Sequence, residues 1–274
     1  ASEAAYANCP YGRDTYSKKR ELGVDRPEVL HLPDTLTTIR KGAFSDLYHP
    51  ARFTVPASVT EIEEGAFSEY NGTVIDVEEG SASFKSVSGL LYSADQSLLL
   101  AIPSNLTLNG TEGLEEILEQ EEAGGKNIFI YHIRIPEGTV RIGAEAAAFL
   151  WANDSVGYVL TCPDSLREIG KKAFYNADLV KVELNDGLTR IGASAFERTD
   201  MTHLTLPDSV EKIEKFAFNG VRGLDRLELP SSMEEITFSS FGLQEPEQGE
   251  PVPHCTEVLL GAKIEKIDNG AFYY

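Results

Sequence analysis

Apolar positions recur along this chain in one repeating order, seen most plainly in Leu204 to Phe218, LTLPDSVEKIEKFAF. Leu204 and Leu206 alternate with His203 and Thr205, so a short strand here turns its leucines to one side and the other two residues to the opposite side. Pro207 has no N–H for a ladder and ends the strand, and Asp208-Ser209 favours a turn. Val210, Ile213, Ala217 and Phe218 then fill the convex half of a coil. Related stretches run from Leu30 to Phe44, Phe53 to Phe67, Leu160 to Phe174, Val182 to Phe196, Leu227 to Phe241 and Val258 to Phe272.

The closing phenylalanines at 174, 196, 218 and 241 are 22, 22 and 23 residues apart, and Phe44 and Phe67 are again 23 apart. A period of this length around an L-x-L strand marks leucine-rich repeats. The fold class that follows is a repeat solenoid: a leucine-rich repeat array of 22–23-residue coils with a parallel sheet on one face. A single coil has too little core to be stable, so neighbours stack and bury a continuous apolar spine.

Departures from the period predict further elements. In Val74 to Pro103 the strand residues Ile75 and Val77 are in register, but Leu90-Leu91-Tyr92, a polar turn and Leu98-Leu99-Leu100 replace the convex half. This variant coil reads as a β-hairpin, either projecting from the array or packed along it as a brace. Thr111 to Ala123 reads as a short helical insert, with Leu114, Ile117 and Leu118 as its stripe and Gly124-Gly125 as its stop. Near Ile133 to Phe149 the closing phenylalanine comes two residues late: either Ala147 takes its position or the coil bulges.

The domain reading is therefore an N-terminal cap over residues 1–27 and a repeat domain over 28–274. The repeat domain carries an irregular insert at 78–129 and a Pro- and Glu-rich loop at 244–254. The cap holds Tyr6, Tyr11, Tyr16 and the basic run Lys18-Lys19-Arg20. No polar cap follows the last repeat, so the array is expected to be truncated there or to continue. The first residue, Ala1, fits either removal of a leader or trimming.

Charge narrows the partners. A net charge of −20 argues against nucleic acid, whose phosphates need clustered Lys and Arg. The longest apolar run, Leu98 to Ile102, is too short to span a bilayer. Cys9, Cys162 and Cys255 show no disulfide or zinc spacing, and Cys162 stands where other repeats have Leu32, Val55 or Leu206, as a small buried hydrophobe. Glu115, Glu116, Glu119, Glu121 and Glu122 lack the alternation of a calcium loop and read as a solvated face. The sequons at Asn71, Asn105, Asn109 and Asn153 read as turn chemistry. No hydrolase, zinc-protease, redox or phosphate-loop motif is present, and neither a cofactor nor a catalytic site is expected.

The whole unit, with Pro after L-x-L, then Ser-Val or Ser-Leu, Ile169-Gly170 or Ile191-Gly192, and a closing Ala-Phe, resembles the BspA-type leucine-rich repeats of bacterial surface proteins. Phe84-Lys85-Ser86-Val87 followed by Gly89-Leu90-Leu91-Tyr92 and Pro103 looks like that family's hairpin-bearing repeat. The resemblance covers roughly residues 28 to 274; the acidic insert at 111–123 and the loop at 244–254 depart from it. It implies a secreted or cell-surface bacterial protein acting as an adhesin toward host matrix proteins or other cells, and it supplies no catalytic residues.

Stacking the repeats aligns outward residues on the strand face. The candidate ligand-binding rows are Arg52, His132, Lys181, His203 and Arg226, with His31, Thr54, Arg134, Thr161, Glu183, Thr205 and Glu228 beside them. Two readings stand: a basic row for acidic or sulfated partners, with histidines that titrate near pH 6 to 7, or cations paired with neighbouring carboxylates. The leading function is binding of a host matrix or cell-surface protein or glycan. The alternatives are a structural spacer of the cell envelope and an enzyme with a pocket beside the 74–129 insert.

Overall fold

A computed structural model describes residues 30–45, 47, 52–104, 120–123, 126–150, 156–201, 203–221, 224, 226–242 and 257–272. The coils stack with their strands side by side in two sets of sheets. The L-x-L segments form a five-stranded sheet in the order His203–Leu204, Leu179–Glu183, Val156–Thr161, Lys126–Arg134 and Gln120–Ala123. Arg52–Val55 with Val74–Val77, and Arg226–Glu228 with Glu257–Leu259, form separate parallel pairs of the same kind. Alternation decides which side chains face in: along Arg52–Val55, Phe53 and Val55 are buried while Arg52 and Thr54 are exposed.

The convex half of each coil contains a second short strand, which the sequence pattern read only as apolar filling. These two-residue strands end on the coil's isoleucine and pair in parallel from Arg141–Ile142 through Glu168–Ile169 and Arg190–Ile191 to Lys212–Ile213. A turn segment closes each coil and inserts Ala-Phe into the core. Phe174, Phe196, Phe218 and Phe241 stack at centroid separations of 5.4, 5.3 and 5.5 Å, with their planes within 9° of parallel. That spine is the physical reason for the phenylalanine period, each buried ring contributing roughly 1.5–3 kcal/mol.

The turn segment needs a left-handed residue just before Ala-Phe. Gly42, Gly65 and Gly270 supply it without steric cost, while Lys172 (φ 56°), Ser194 (φ 58°) and Phe216 (φ 62°) occupy it in other coils. In the irregular coil Glu145 (φ 59°) takes that place, and the amide of Ala147 donates to Ala173 O at 2.7 Å as that of Phe174 does to Ala195 O at 2.8 Å. Ala147 therefore holds the phenylalanine position and no residues bulge. Phe149 follows two residues later at a second left-handed position, equivalent to Asn176 and Arg198, and packs edge-on against Tyr175 at 5.2 Å.

The hairpin does not project. Leu90–Ser93 pairs antiparallel with Leu98–Ala101 and with a further strand, Phe84–Val87, and Leu98–Ala101 continues the second sheet beside Arg141–Ile142. Both of its faces are buried: Leu90, Tyr92 and Leu99 join the core that runs on to Ala271, and Leu91, Leu100 and Ala101 join a separate core of Phe44, Phe53, Phe67 and Tyr70. It is the brace between the two halves of the array.

The helical insert is corrected. Gln120–Ala123 is a strand, antiparallel to the start of Lys126–Arg134 with Ala123 opposite Lys126, and no helix occurs among the described residues. The apolar stripe at Leu114, Ile117 and Leu118 lies outside the described residues, as do the 1–27 cap, Cys9, Cys255 and the loop at 244–254. The Gly pair that read as a helix stop lies outside the described residues as well. Cys162 is buried at 8% exposure, and burial pushes its thiol up to about 12, as fits an inert core side chain.

Candidate functional site on the strand face

The five-stranded sheet fixes which candidate residues meet. Val159 stands opposite His132 on one side and Lys181 on the other, and Lys181 stands opposite His203, so these share one row. Thr161 likewise stands between Arg134 and Glu183 in the next outward row, with exposed Thr205 just beyond the His203 strand. Arg52 lies apart, opposite Val74, and Arg226 lies opposite Glu257. The register expected from the sequence thus brings His132, Lys181 and His203 together, while Arg52 and Arg226 belong to separate strand pairs.

The face is salt-bridged. Lys181 Nζ reaches Glu183 Oε1 at 2.9 Å, and Thr161 Oγ1 donates to Glu183 Oε2 at 3.0 Å. The Lys181 hydrogen bond, opposed by partial burial and helped by Thr161 and the charges of Lys181 and His132, holds the Glu183 carboxyl below its usual range. Arg52 pairs with Asp76, and Arg226 lies 3.4 Å from Glu257 and 3.7 Å from Glu228. His132 is half-buried, and its Nε2 is enclosed without a hydrogen-bond partner. Beside it, Ile130, Val159 and Val180 form a small buried apolar cluster apart from the main cores; Val180 is the extra residue where the pairing of Val156–Thr161 with Leu179–Glu183 slips. The arrangement is a mixed-charge surface on an apolar floor, able to exchange its own ion pairs for those of a partner. Among the described residues no group of His, Cys, Asp and Glu is placed to hold a metal, and no helix is long and apolar enough to cross a membrane.

A second charged row went unread in the sequence. On the second sheet Arg141, Glu168, Arg190 and Lys212 are in register. Arg141 donates to Glu64 from Nη1 at 2.6 Å and Nη2 at 2.8 Å, Glu168 lies 3.7 and 3.6 Å from Arg141 and Arg190, and Glu214 binds Arg190. Glu64 also accepts from the Ala144 amide, and Lys41 pairs with Glu145, so two contacts tie the coil of Phe67 and its neighbour directly to the coil beyond the hairpin. Aligning the residue before each isoleucine would have exposed the row. It is cross-strand structure: Glu168 lies between Arg141 and Arg190, and Glu214 meets both Arg190 and Lys212.

Residues 27–113 and 147–274 match the BspA type leucine rich repeat region, in six copies. The chain belongs to the BspA-type leucine-rich repeat family. Solved structures of similar fold include pneumococcal vaccine antigen PcpA, at 23% identity and a TM-score of 0.61, covering 85% of this chain and 48% of that one. A leucine-rich cell surface protein of Faecalibacterium prausnitzii is similar at 25% identity and a TM-score of 0.60, over 86% of this chain and 52% of that one. A leucine-rich repeat protein of Eubacterium ventriosum follows at 18% and 0.59, over 89% and 63%. The chain thus spans between about half and just under two thirds of the length of these proteins. No curated protein matches it. The BspA-type match bears out the resemblance and the solenoid read from the repeats.

Proposed function

We propose that this BspA-type chain is an interaction module of a secreted or surface-exposed bacterial protein, binding a host matrix or cell-surface protein or glycan through its strand face. The observation that carries the reading is the in-register row His132, Val159, Lys181, His203 with Arg134, Thr161 and Glu183 beside it. Parallel stacking presents this mixed-charge row as one continuous surface, the kind of extended face with which repeat proteins meet partners. The family, and the surface description of the Faecalibacterium neighbour, support an extracellular setting. The site is a docking surface; no catalytic role is assigned to it.

A spacer is the second reading, favoured by the pairing of Arg52, Lys181 and Arg226 with carboxylates, which leaves less net positive charge on the face than the sequence pattern suggested. A screen of the purified chain against matrix proteins and a glycan array separates the two. Binding that is lost on combining Lys181→Glu, His203→Glu and Arg226→Glu, with circular dichroism unchanged, supports the strand face. Binding indifferent to the triple reversal contradicts it, and no partner in the screen favours the spacer.

A further inference from the structure

The third side of the coil, the turn segment around Ala-Phe, carries neither of the faces described so far. It is built differently in charge. On the strand face and second sheet, Arg52, Arg141, Lys181, Arg190, Lys212 and Arg226 each have a carboxylate partner. On the turn side of three successive coils, Lys171, Arg198 and Lys215 are exposed and have no acidic partner among the described residues. In a chain of net charge −20 these are three exposed cations outside the ion-pair network, with Glu197 and Asp200 beside Arg198 in the sequence.

Aromatic rings are set among them. Phe149 packs edge-on against Tyr175 at 5.2 Å, and Lys172 Nζ lies 4.8 Å from the Tyr175 ring centroid. Two coils further on, Phe216 meets Phe238 edge-on at 5.5 Å, and Phe238 is 45% exposed. Phe149 and Phe216 hold left-handed backbone positions, φ 57° and 62°, which bulky side chains rarely adopt. Backbone hydrogen bonds fix the order of these groups: the amide of Phe149 donates to Tyr175 O, that of Asn176 to Glu197 O, that of Arg198 to Asn219 O and that of Ser194 to Lys215 O. The coils step by the 5.3–5.5 Å seen in the buried phenylalanine stack, so Lys171 and Lys215, at the same coil position with Ala193 between them, stand two steps apart, while Arg198 stands in the parallel row that Phe149 and Asn176 begin.

We propose that the turn side from Phe149 to Phe238 is a second binding site, for an extended anionic polysaccharide bearing carboxylate or sulfate groups. The π faces carry negative potential and accept the weakly positive C–H face of a pyranose. Lys171 and Lys215 pair anionic substituents on alternate sugars, and Arg198, in the neighbouring row, binds two oxygens of one substituent between them. A bilayer fits less well. Phe149, Tyr175 and Phe216 are half-buried, which leaves Phe238 as the exposed ring of the set where insertion needs several, and the acidic remainder of the molecule repels an anionic membrane.

The test is binding of the full chain to immobilised heparin and polygalacturonate, with neutral dextran and phosphatidylserine vesicles as controls. Four proteins are compared: wild type, the triple variant Lys171→Gln, Arg198→Gln, Lys215→Gln, the double variant Tyr175→Ala, Phe238→Ser, which keeps every charge, and Lys181→Gln on the strand face. The proposal expects wild type to bind one of the anionic polymers with an affinity that falls steeply with salt. It expects at least tenfold weakening in the triple variant, severalfold weakening in the aromatic variant, and no change in Lys181→Gln. Absence of binding to both polymers, or binding that survives the triple variant, overturns it. Loss confined to the charge variant, or equal binding to vesicles, shows general adsorption of anions and also overturns it. Loss in Lys181→Gln alone assigns the polymer to the strand face, so failure here is distinguishable from failure of the strand-face reading.

Discussion

At the scale of the residue, two positions in each coil bear on its stability in opposite directions. Phe196 is fully buried and stacked on both sides, so truncation leaves a hole that rigid neighbours fill only in part. Phe196→Ala is expected to cost about 3–5 kcal/mol in urea unfolding. The left-handed position two residues earlier works the other way. Ser194 bears the steric cost of φ 58°, which Gly42 and Gly65 avoid in their coils. Ser194→Gly is expected to be neutral or to stabilise by up to about 1 kcal/mol, since relief of the left-handed strain offsets the greater freedom glycine gives the unfolded chain. A clear loss of stability would contradict this account of the turn.

At the scale of the element, the hairpin and the second sheet explain how an irregular coil is tolerated. Glu64 reaches across the hairpin to Arg141 and to the Ala144 amide. Burial raises its carboxyl pKa, but the hydrogen bonds and charges of Arg141, with the Ala144 amide and Lys41, outweigh burial and hold it below 4.5; Glu214 is held down in the same way by Arg190, Ala193 and Lys212. A carboxyl depressed in the folded state contributes stability above its unfolded pKa and loses it as pH falls through the folded value. The chain should therefore lose stability on acidification below about pH 4.5, and Glu64→Gln should flatten that loss while costing about 1–2 kcal/mol at neutral pH. Identical acid dependence in the variant would remove Glu64 from the account.

The elements also mark where the sequence was legible. The L-x-L strands, the phenylalanine period and the strands of Leu90 and Leu98 were readable because alternation and repetition are local signals. The second strand of each coil was not, because two residues ending on Ile191 or Ile213 are too short to alternate, and their pairing exists only between coils. The segment ending at Ala123 read as a helix because Leu114, Ile117 and Leu118 have helical spacing; pairing of Gln120–Ala123 with Lys126–Arg134 decides the structure at its end. On the strand face the rows were legible, and pairing of the cations with neighbouring carboxylates was one of the two readings; which partners meet, Lys181 with Glu183 and Arg52 with Asp76, depends on rotamers and register.

At the scale of the whole molecule, two apolar cores share one brace. Leu99 faces one core and Leu100 the other, so cooperativity between the halves passes through the hairpin. Leu99→Ala is expected to cost about 2–5 kcal/mol and to split a single thermal transition into two in calorimetry; one sharp transition at lower temperature would show that the ties from Glu64 and Lys41 suffice.

The central claim is that such an array holds its strand face toward a partner. The most direct measurement is an affinity titration of the ligand returned by the matrix-protein and glycan screen. It compares the triple reversal at Lys181, His203 and Arg226 with the triple neutralisation at Lys171, Arg198 and Lys215. The account predicts at least tenfold loss with the strand-face reversal for a protein partner and little change with the turn-side variant. Equal affinity in the wild type and the strand-face reversal would contradict it.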